Sequence, residues 1–85
     1  MKIFEYTIKD ELGIHARPAG LLAKLAKSFA SEITIAKGPQ AAGATKLIAL
    51  MGLGIKQGDT VTITVRGDDE DAAAAAMQEF FEANL

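Results

Sequence analysis

The chain has 85 residues, of which 49% are hydrophobic and 24% are charged, and its formal net charge is −2 at neutral pH. This length suits one domain with a modest core and leaves no room for a deeply enclosed active site, which favours a small accessory or carrier role. An independent enzyme is the least favoured class, because the sequence has no Ser-His-Asp set, Walker loop or metal-binding cluster. The slightly acidic balance argues against a nucleic-acid partner, because phosphate backbones are bound mainly by clustered Lys and Arg.

The first predicted element is a strand over residues 2–9, where apolar and polar side chains alternate and Phe4, Tyr6 and Ile8 share one face. Residues 10–13 break this pattern. Gly13 supplies the backbone freedom needed to turn the following residues toward the surface.

A helix is predicted over residues 16–28, because apolar side chains recur at helical spacing at Leu22, Leu25, Ala26 and Phe29. The only histidine, His15, then lies near the helix N-cap. The first turn of a helix has unpaired N–H groups and a partial positive charge, both of which favour an anion. Pro18 is tolerated there, and we expect free amides at His15, Ala16 and Arg17. The Arg17 guanidinium adds a cation suited to phosphate or carboxylate.

Two strands are predicted next, over residues 32–36 and 40–44, with Gly38 and Pro39 in the turn between them. A short helix is predicted over residues 46–52, with Thr45 as its N-cap and glycines 52 and 54 near its end.

The short helix is almost entirely apolar, and so small a domain cannot bury every side of it. Burial of Leu50, Leu53 and Ile55 is enough to anchor the segment. We therefore expect at least Leu47, Ile48 or Met51 to stay exposed; the alternative is that these three residues and Leu50 all belong to the core.

The clearest strand covers residues 60–65, with Val61, Ile63 and Val65 facing inward. An acidic run at 68–71 is predicted to cap a last helix, which five consecutive alanines favour and which Met77, Phe80 and Phe81 would hold against the sheet. The resulting order, β-α-β-β-α-β-α, indicates a sheet covered on one face by helices.

The outer face of the first helix combines charge with one apolar side chain, and its members are Arg17, Leu21, Lys24, Lys27 and Ser28. Together with Leu47, Ile48 and Met51, this face would form an apolar patch ringed by cations and suited to a transient acidic partner. An ordinary solvated basic helix face fits the spacing equally well.

Two motifs carry a family resemblance. Gly-Ile-His-Ala-Arg-Pro-Ala at 13–19 resembles the phosphorylation-site signature of HPr, the histidine-containing phosphocarrier of the bacterial sugar phosphotransferase system. Residues 46–55 resemble the second signature of the same family. The resemblance covers the whole chain, 1–85, and implies one α+β domain: an open-faced β-sandwich with a four-stranded antiparallel sheet in the order 1-4-2-3 and three helices on one face.

The resemblance also implies a function. His15 would accept a phosphoryl group on Nδ1 from phosphorylated enzyme I and donate it to the sugar-specific A component. Arg17 and the backbone amides of Ala16 and Arg17 would stabilise the phosphoryl charge, and Leu21, Lys24, Lys27, Leu47, Ile48 and Met51 would contact the partners. The protein would be a phosphoryl carrier and not an enzyme.

The sequence is also compatible with two alternatives. The first is an HPr-like carrier that serves a nitrogen-regulatory branch or a dihydroxyacetone kinase, with the same site. The second is a small anion- or protein-binding module in which His15 does no chemistry.

One position departs from the family pattern. In many HPr proteins of Gram-positive type, a serine phosphorylated by a regulatory kinase precedes the Leu-Ile pair of the second signature, and here that residue is Lys46. Thr45 is the only hydroxyl nearby, and as an N-cap it would be bonded to the backbone.

The remaining expectations concern chemistry and location. With no cysteine and one histidine, we expect no disulfide, no metal site and no bound cofactor. The chain shows no secretory-signal pattern and no apolar run long enough to span a bilayer, so we expect a cytoplasmic monomer that does not insert into membranes.

Overall fold

The structure, a computed structural model, describes all residues from Met1 to Leu85. Seven elements follow one another along the chain: β1 (Lys2–Thr7), α1 (Ala16–Lys27), β2 (Glu32–Lys37), β3 (Gln40–Gly43), α2 (Leu47–Gly52), β4 (Thr60–Arg66) and α3 (Glu70–Asn84). This is the predicted β-α-β-β-α-β-α order. None of the three helices combines the length and the apolar character needed to cross a bilayer.

The four strands form one antiparallel sheet in the order β1-β4-β2-β3. The central strand β4 aligns Val65 with Lys2 of β1 on one side and with Ile33 of β2 on the other. The three helices cover one face, which confirms the open-faced sandwich that the family resemblance implied.

Alternating burial along the strands produces the two faces of the sheet. Val61, Ile63 and Val65 of β4 are fully buried against the helices, whereas Thr62 and Thr64 lie on the uncovered face and stay partly exposed. Because apolar burial is the main favourable contribution to folding, this alternation also fixes the register of β4.

Two helices supply most of the covering layer. On the helix side of the sheet, α1 contributes Leu22, and α3 contributes Met77 and Phe81; all three side chains are completely buried. The Phe81 ring packs edge-on against Phe4 and Tyr6 of β1. The predicted inward face of the first strand is thereby confirmed.

The predicted first strand was two residues too long. β1 ends at Thr7 because the Ile8 N–H donates to the Asp59 carbonyl (2.9 Å) and the Lys9 N–H donates to the main-chain oxygen of Leu85 (2.6 Å), outside the β1–β4 ladder. The other predicted ends are within one residue of the observed ones, apart from the start of α3, for which only the acidic run was predicted.

The acidic run before α3 does not cap that helix in the predicted way. Asp69 occupies the N-cap position, but its carboxylate makes no cap hydrogen bond. Instead, Oδ2 accepts from the Ala30 N–H (2.8 Å), while Oδ1 accepts from the N–H (2.8 Å) and the hydroxyl of Ser31. Asp69 therefore joins the start of α3 to the α1–β2 loop.

The prediction that Thr45 caps α2 is wrong. The N-cap position belongs to Lys46, and no side chain bonds to the helix start. The turn after β3 explains the shift, because the Lys46 N–H donates to the Gly43 carbonyl (3.0 Å) and keeps Thr45 outside the helix. The half-buried Thr45 hydroxyl makes no hydrogen bond within the protein.

Candidate functional site

His15 occupies the N-cap position of α1, as the sequence predicts. Its backbone is extended (φ −102°, ψ −176°), and its side chain makes no cap hydrogen bond. The imidazole is 38% exposed, so a second protein can reach it. A ring that is half open to solvent and not used to cap the helix is available for chemistry.

The first turn of α1 offers two unpaired amides beside His15. The N–H groups of Ala16 and Arg17 donate to no acceptor in the protein, and Pro18 has no N–H. These two groups and the positive end of the helix form a small anion-binding surface. The amide of His15 was expected to be free as well, but it donates to the Gly13 carbonyl (3.1 Å).

The loop that carries His15 is held to the segment after α2. The Ile14 N–H donates to the Ile55 carbonyl oxygen (3.2 Å), and Ile14 and Ile55 are both buried. The two sequence motifs, which are about thirty residues apart in sequence, are therefore brought side by side in the fold.

A carboxylate close to the imidazole was missed from the sequence. Oδ2 of Asp10 lies 3.9 Å from Nε2 of His15. The sequence around Asp10 indicates only a turn that ends β1. The available signal was an Asp two residues before Leu12, a spacing at which an Asp side chain bonds to the backbone and folds the loop back on itself.

Four large apolar side chains on α1 and α2 are exposed. Ile48 is 81% exposed, and Leu21, Met51 and Leu47 are 45%, 42% and 38% exposed, while Leu50 is fully buried. α1 packs against α2, so these side chains belong to neighbouring elements. We call Leu21, Leu47, Ile48 and Met51 the apolar patch; their exposure agrees with the prediction.

Four cations accompany the apolar patch on the same two elements and the turn before α2. Arg17, Lys24, Lys27 and Lys46 are all exposed, and none of them makes an ion pair within the protein. Their charges are therefore not neutralised internally and can act on a partner.

Comparison with known proteins agrees with both motifs. Residues 3–83 match the family described as PTS HPr component phosphorylation site. The chain is 45% identical over 85 residues to the phosphocarrier protein HPr of Mycoplasma genitalium, with 99% of this chain and 97% of that protein covered.

Solved structures give the same result. The crystal structure of HPr-C-His from Thermoanaerobacter tengcongensis superposes with a TM-score of 0.92 at 36% identity, covering 98% of this chain and 93% of that one. An HPr dimer from the same organism matches with a TM-score of 0.77, also at 36% identity, covering 98% and 95% of the two chains. The chain therefore belongs to the HPr family, the phosphocarrier proteins of the phosphotransferase system.

Proposed function

We propose that His15 is the residue that carries the phosphoryl group, through Nδ1. The observation that carries the proposal is the position of the imidazole at the start of α1, half exposed and beside two amides without acceptors. A neutral imidazole needs no base to become a nucleophile, so one histidine can serve where a serine would need a second group.

The surroundings suit a phosphoryl group that is held and then released. The Ala16 and Arg17 amides and the helix dipole supply partial positive charges, and the Arg17 guanidinium supplies a full one. All of these groups lie at the surface, where water weakens their hold on an anion. Such a site stabilises phosphoryl transfer without making the phosphorylated state too stable for the next protein to empty.

The same geometry supports a docking role for the apolar patch and its cations. Exposed Leu21, Leu47, Ile48 and Met51 can be buried by a partner, and Lys24 and Lys27 can attract acidic groups around that contact. The contact would be small and short-lived, as a carrier that visits two partners in turn requires.

The donor and the acceptor follow from the family. In this proposal, a phosphohistidine of enzyme I charges His15, and the sugar-specific A component of the phosphotransferase system discharges it. The protein acts as a monomer, which leaves the apolar patch free for each partner. Sedimentation of the purified chain as a dimer at micromolar concentration would contradict this last point.

Labelling with phosphoenolpyruvate and enzyme I tests the central claim. The wild-type protein should acquire one acid-labile, base-stable phosphate, and His15→Ala should acquire none while keeping its fold. Full labelling of His15→Ala would refute the assignment. The purified phosphoprotein can then be offered to sugar-specific, nitrogen-regulatory and dihydroxyacetone-kinase acceptors, because the acceptor that empties it identifies the branch it serves.

A further inference from the structure

Asp10 is the only acidic residue with a carboxylate oxygen within 4 Å of a His15 ring nitrogen. Its Oδ2 lies 3.9 Å from Nε2, and the structure has no other ion pair to this ring. The distance is too long for a direct hydrogen bond but short enough for the carboxylate charge to act on the ring. Nδ1, the other ring nitrogen, has no hydrogen-bond partner in the protein.

The position of the Asp10 carboxylate is set by three hydrogen bonds. The Leu12 N–H donates to Oδ2 (3.0 Å), the Gly13 N–H donates to the Asp10 carbonyl (3.1 Å), and the Asp10 N–H donates to the Leu85 main-chain oxygen (2.8 Å). The backbone on both sides and the carboxylate itself are thus fixed. The oxygen that closes the turn at Leu12 is the same oxygen that lies nearest His15.

We infer that Asp10 is a positioning residue that keeps the imidazole proton on Nε2 and leaves the lone pair on Nδ1. A negative charge beside one nitrogen of a neutral imidazole favours the tautomer that carries its proton on that side. The inference rests on the proposed role of His15 and adds to it the residue that selects which nitrogen reacts.

The transfer step balances without a separate base. The Nδ1 lone pair forms a bond to phosphorus, and the electron pair of the broken N–P bond returns to the imidazole of the donor. The Nε2 proton stays in place, so the phosphorylated ring of His15 carries a positive charge. The Asp10 carboxylate faces that charge and stabilises it during transfer.

Three variants separate this role from a structural one. Asp10→Asn keeps an oxygen that can accept from the Leu12 N–H but removes the charge. Asp10→Ala removes both. Glu11→Gln is the matched control, because it removes one negative charge from the adjacent, exposed residue, for which the structure gives no ion pair.

The first measurement is the tautomer of the unphosphorylated protein, from the ¹⁵N chemical shifts of the two ring nitrogens at a pH where the imidazole is neutral. We expect the wild-type ring to carry its proton on Nε2, and Asp10→Ala to raise the Nδ1–H fraction about threefold to fivefold. Asp10→Asn should raise this fraction as well, because it keeps the acceptor for the Leu12 N–H and removes only the charge; a rise confined to Asp10→Ala would indicate a role in loop shape alone and overturn the inference. An unchanged ratio in Asp10→Ala, or a wild-type ring protonated on Nδ1, overturns the inference.

The second measurement is the rate of phosphorylation by enzyme I. Asp10→Asn should be about threefold to fivefold slower than wild type, with a thermal midpoint close to wild type, and Glu11→Gln should match wild type. Equal slowing by Glu11→Gln would overturn the inference, since a general charge effect would then explain the rate. Because the tautomer measurement needs no phosphate, its failure is distinguishable from a failure of His15 to accept one.

Discussion

Gly13 lies so close to Ile55 that a β-carbon on Gly13 would be 2.3 Å from the Ile55 carbonyl oxygen. Gly13 also has a φ of +66°, a conformation that residues with side chains rarely adopt. The next residue, Ile14, donates its N–H to that same carbonyl (3.2 Å). Direct contact between the backbones of Gly13 and Ile55 therefore joins the loop that carries His15 to the segment after α2.

Replacing Gly13 by Ala should destabilise the protein by about 3 kcal/mol, because the strained backbone and the collision with Ile55 add together. Gly38→Ala is the control. Gly38 also has a positive φ (+57°), but a β-carbon there would meet nothing within 4 Å, so only about 1–2 kcal/mol should be lost. Chemical denaturation measures both, and equal losses would show that the contact with Ile55 is unimportant.

The elements could be predicted from the sequence because their signals are local. The alternation of Val61, Ile63 and Val65 and the helical spacing of Leu22 and Ala26 each follow from a short stretch of chain, and all five residues are buried as expected. The strand order was available only from the family resemblance, because periodicity shows which face of a strand is buried but not which strand lies beside it.

Side-chain hydrogen bonds between distant residues could not be predicted in this way. Asp69 is of a residue type that is favoured at helix N-caps, but its carboxylate accepts hydrogen bonds from Ser31, which is 38 residues away in sequence. The nearness of Asp10 to His15 depends on a turn geometry that the sequence allows but does not require. Capping by Thr45 failed for a related reason, since the turn after β3 determines where α2 starts.

Arg17→Ala should leave the fold intact, because Arg17 is exposed and makes no ion pair within the protein. It should slow phosphoryl transfer by at least about tenfold, because the variant lacks the positive charge that we propose stabilises the phosphoryl group. Rates should be measured both for charging by enzyme I and for discharge to an acceptor. Arg66→Ala is the matched control, since it removes the only other arginine, on β4. Unchanged rates in both directions for Arg17→Ala would contradict the assigned role.

Met51→Glu should weaken binding of enzyme I by about tenfold, because a charge would enter the centre of an apolar contact. Stability should change by less than about 0.5 kcal/mol, since Met51 is 42% exposed. Gln78→Glu adds the same charge to an exposed residue of α3 that does not belong to the apolar patch, and it should have no effect on binding. Calorimetric titration gives the affinities. A sharp drop in the thermal midpoint of Met51→Glu would instead indicate that the side chain is part of the core.

Asp69 should make stability depend on acid pH. The Ser31 hydroxyl, followed by the Ala30 amide, holds the pKa of the Asp69 carboxyl below its ordinary value of 3.8. A carboxyl with a lowered pKa in the folded state contributes its full stabilisation above the ordinary pKa and loses it as pH falls through the folded one. Thermal midpoints should therefore fall with decreasing pH below about 4 in the wild type.

The variant Asp69→Asn isolates this effect. It should melt at a lower temperature than wild type at neutral pH, and the difference should shrink as the pH falls below about 4. Asp68→Asn is the control, because Asp68 is exposed and accepts no hydrogen bond in the structure. If the two variants have the same pH profile, the bonds to Ser31 and Ala30 do not stabilise the fold.

Lys46 should prevent regulation of this protein by a serine kinase. Such regulation is implied by the resemblance to HPr proteins of Gram-positive type, many of which are phosphorylated on a serine at this position. Lys46 occupies the position where those carriers have a serine, and it lies at the N-cap of α2, next to Leu47 of the apolar patch. A phosphoserine there would add a charge of about −1.5 to −2 beside a surface that we propose binds acidic partners. Lysine has no hydroxyl and keeps the charge of this position positive.

Thr45 is the one residue that could take over the switch, and the structure removes one reason against it, because its hydroxyl is not engaged in capping α2. Thr45 is half buried, and it lies one residue before the position of the regulatory serine, which Lys46 occupies here. We therefore expect mass spectrometry after incubation with the regulatory kinase and ATP to find wild type unmodified. Lys46→Ser should become phosphorylated and then be charged more slowly by enzyme I, and Thr45→Ala should behave as wild type. Stoichiometric phosphate on Thr45 with slower charging would show that the switch has moved by one residue.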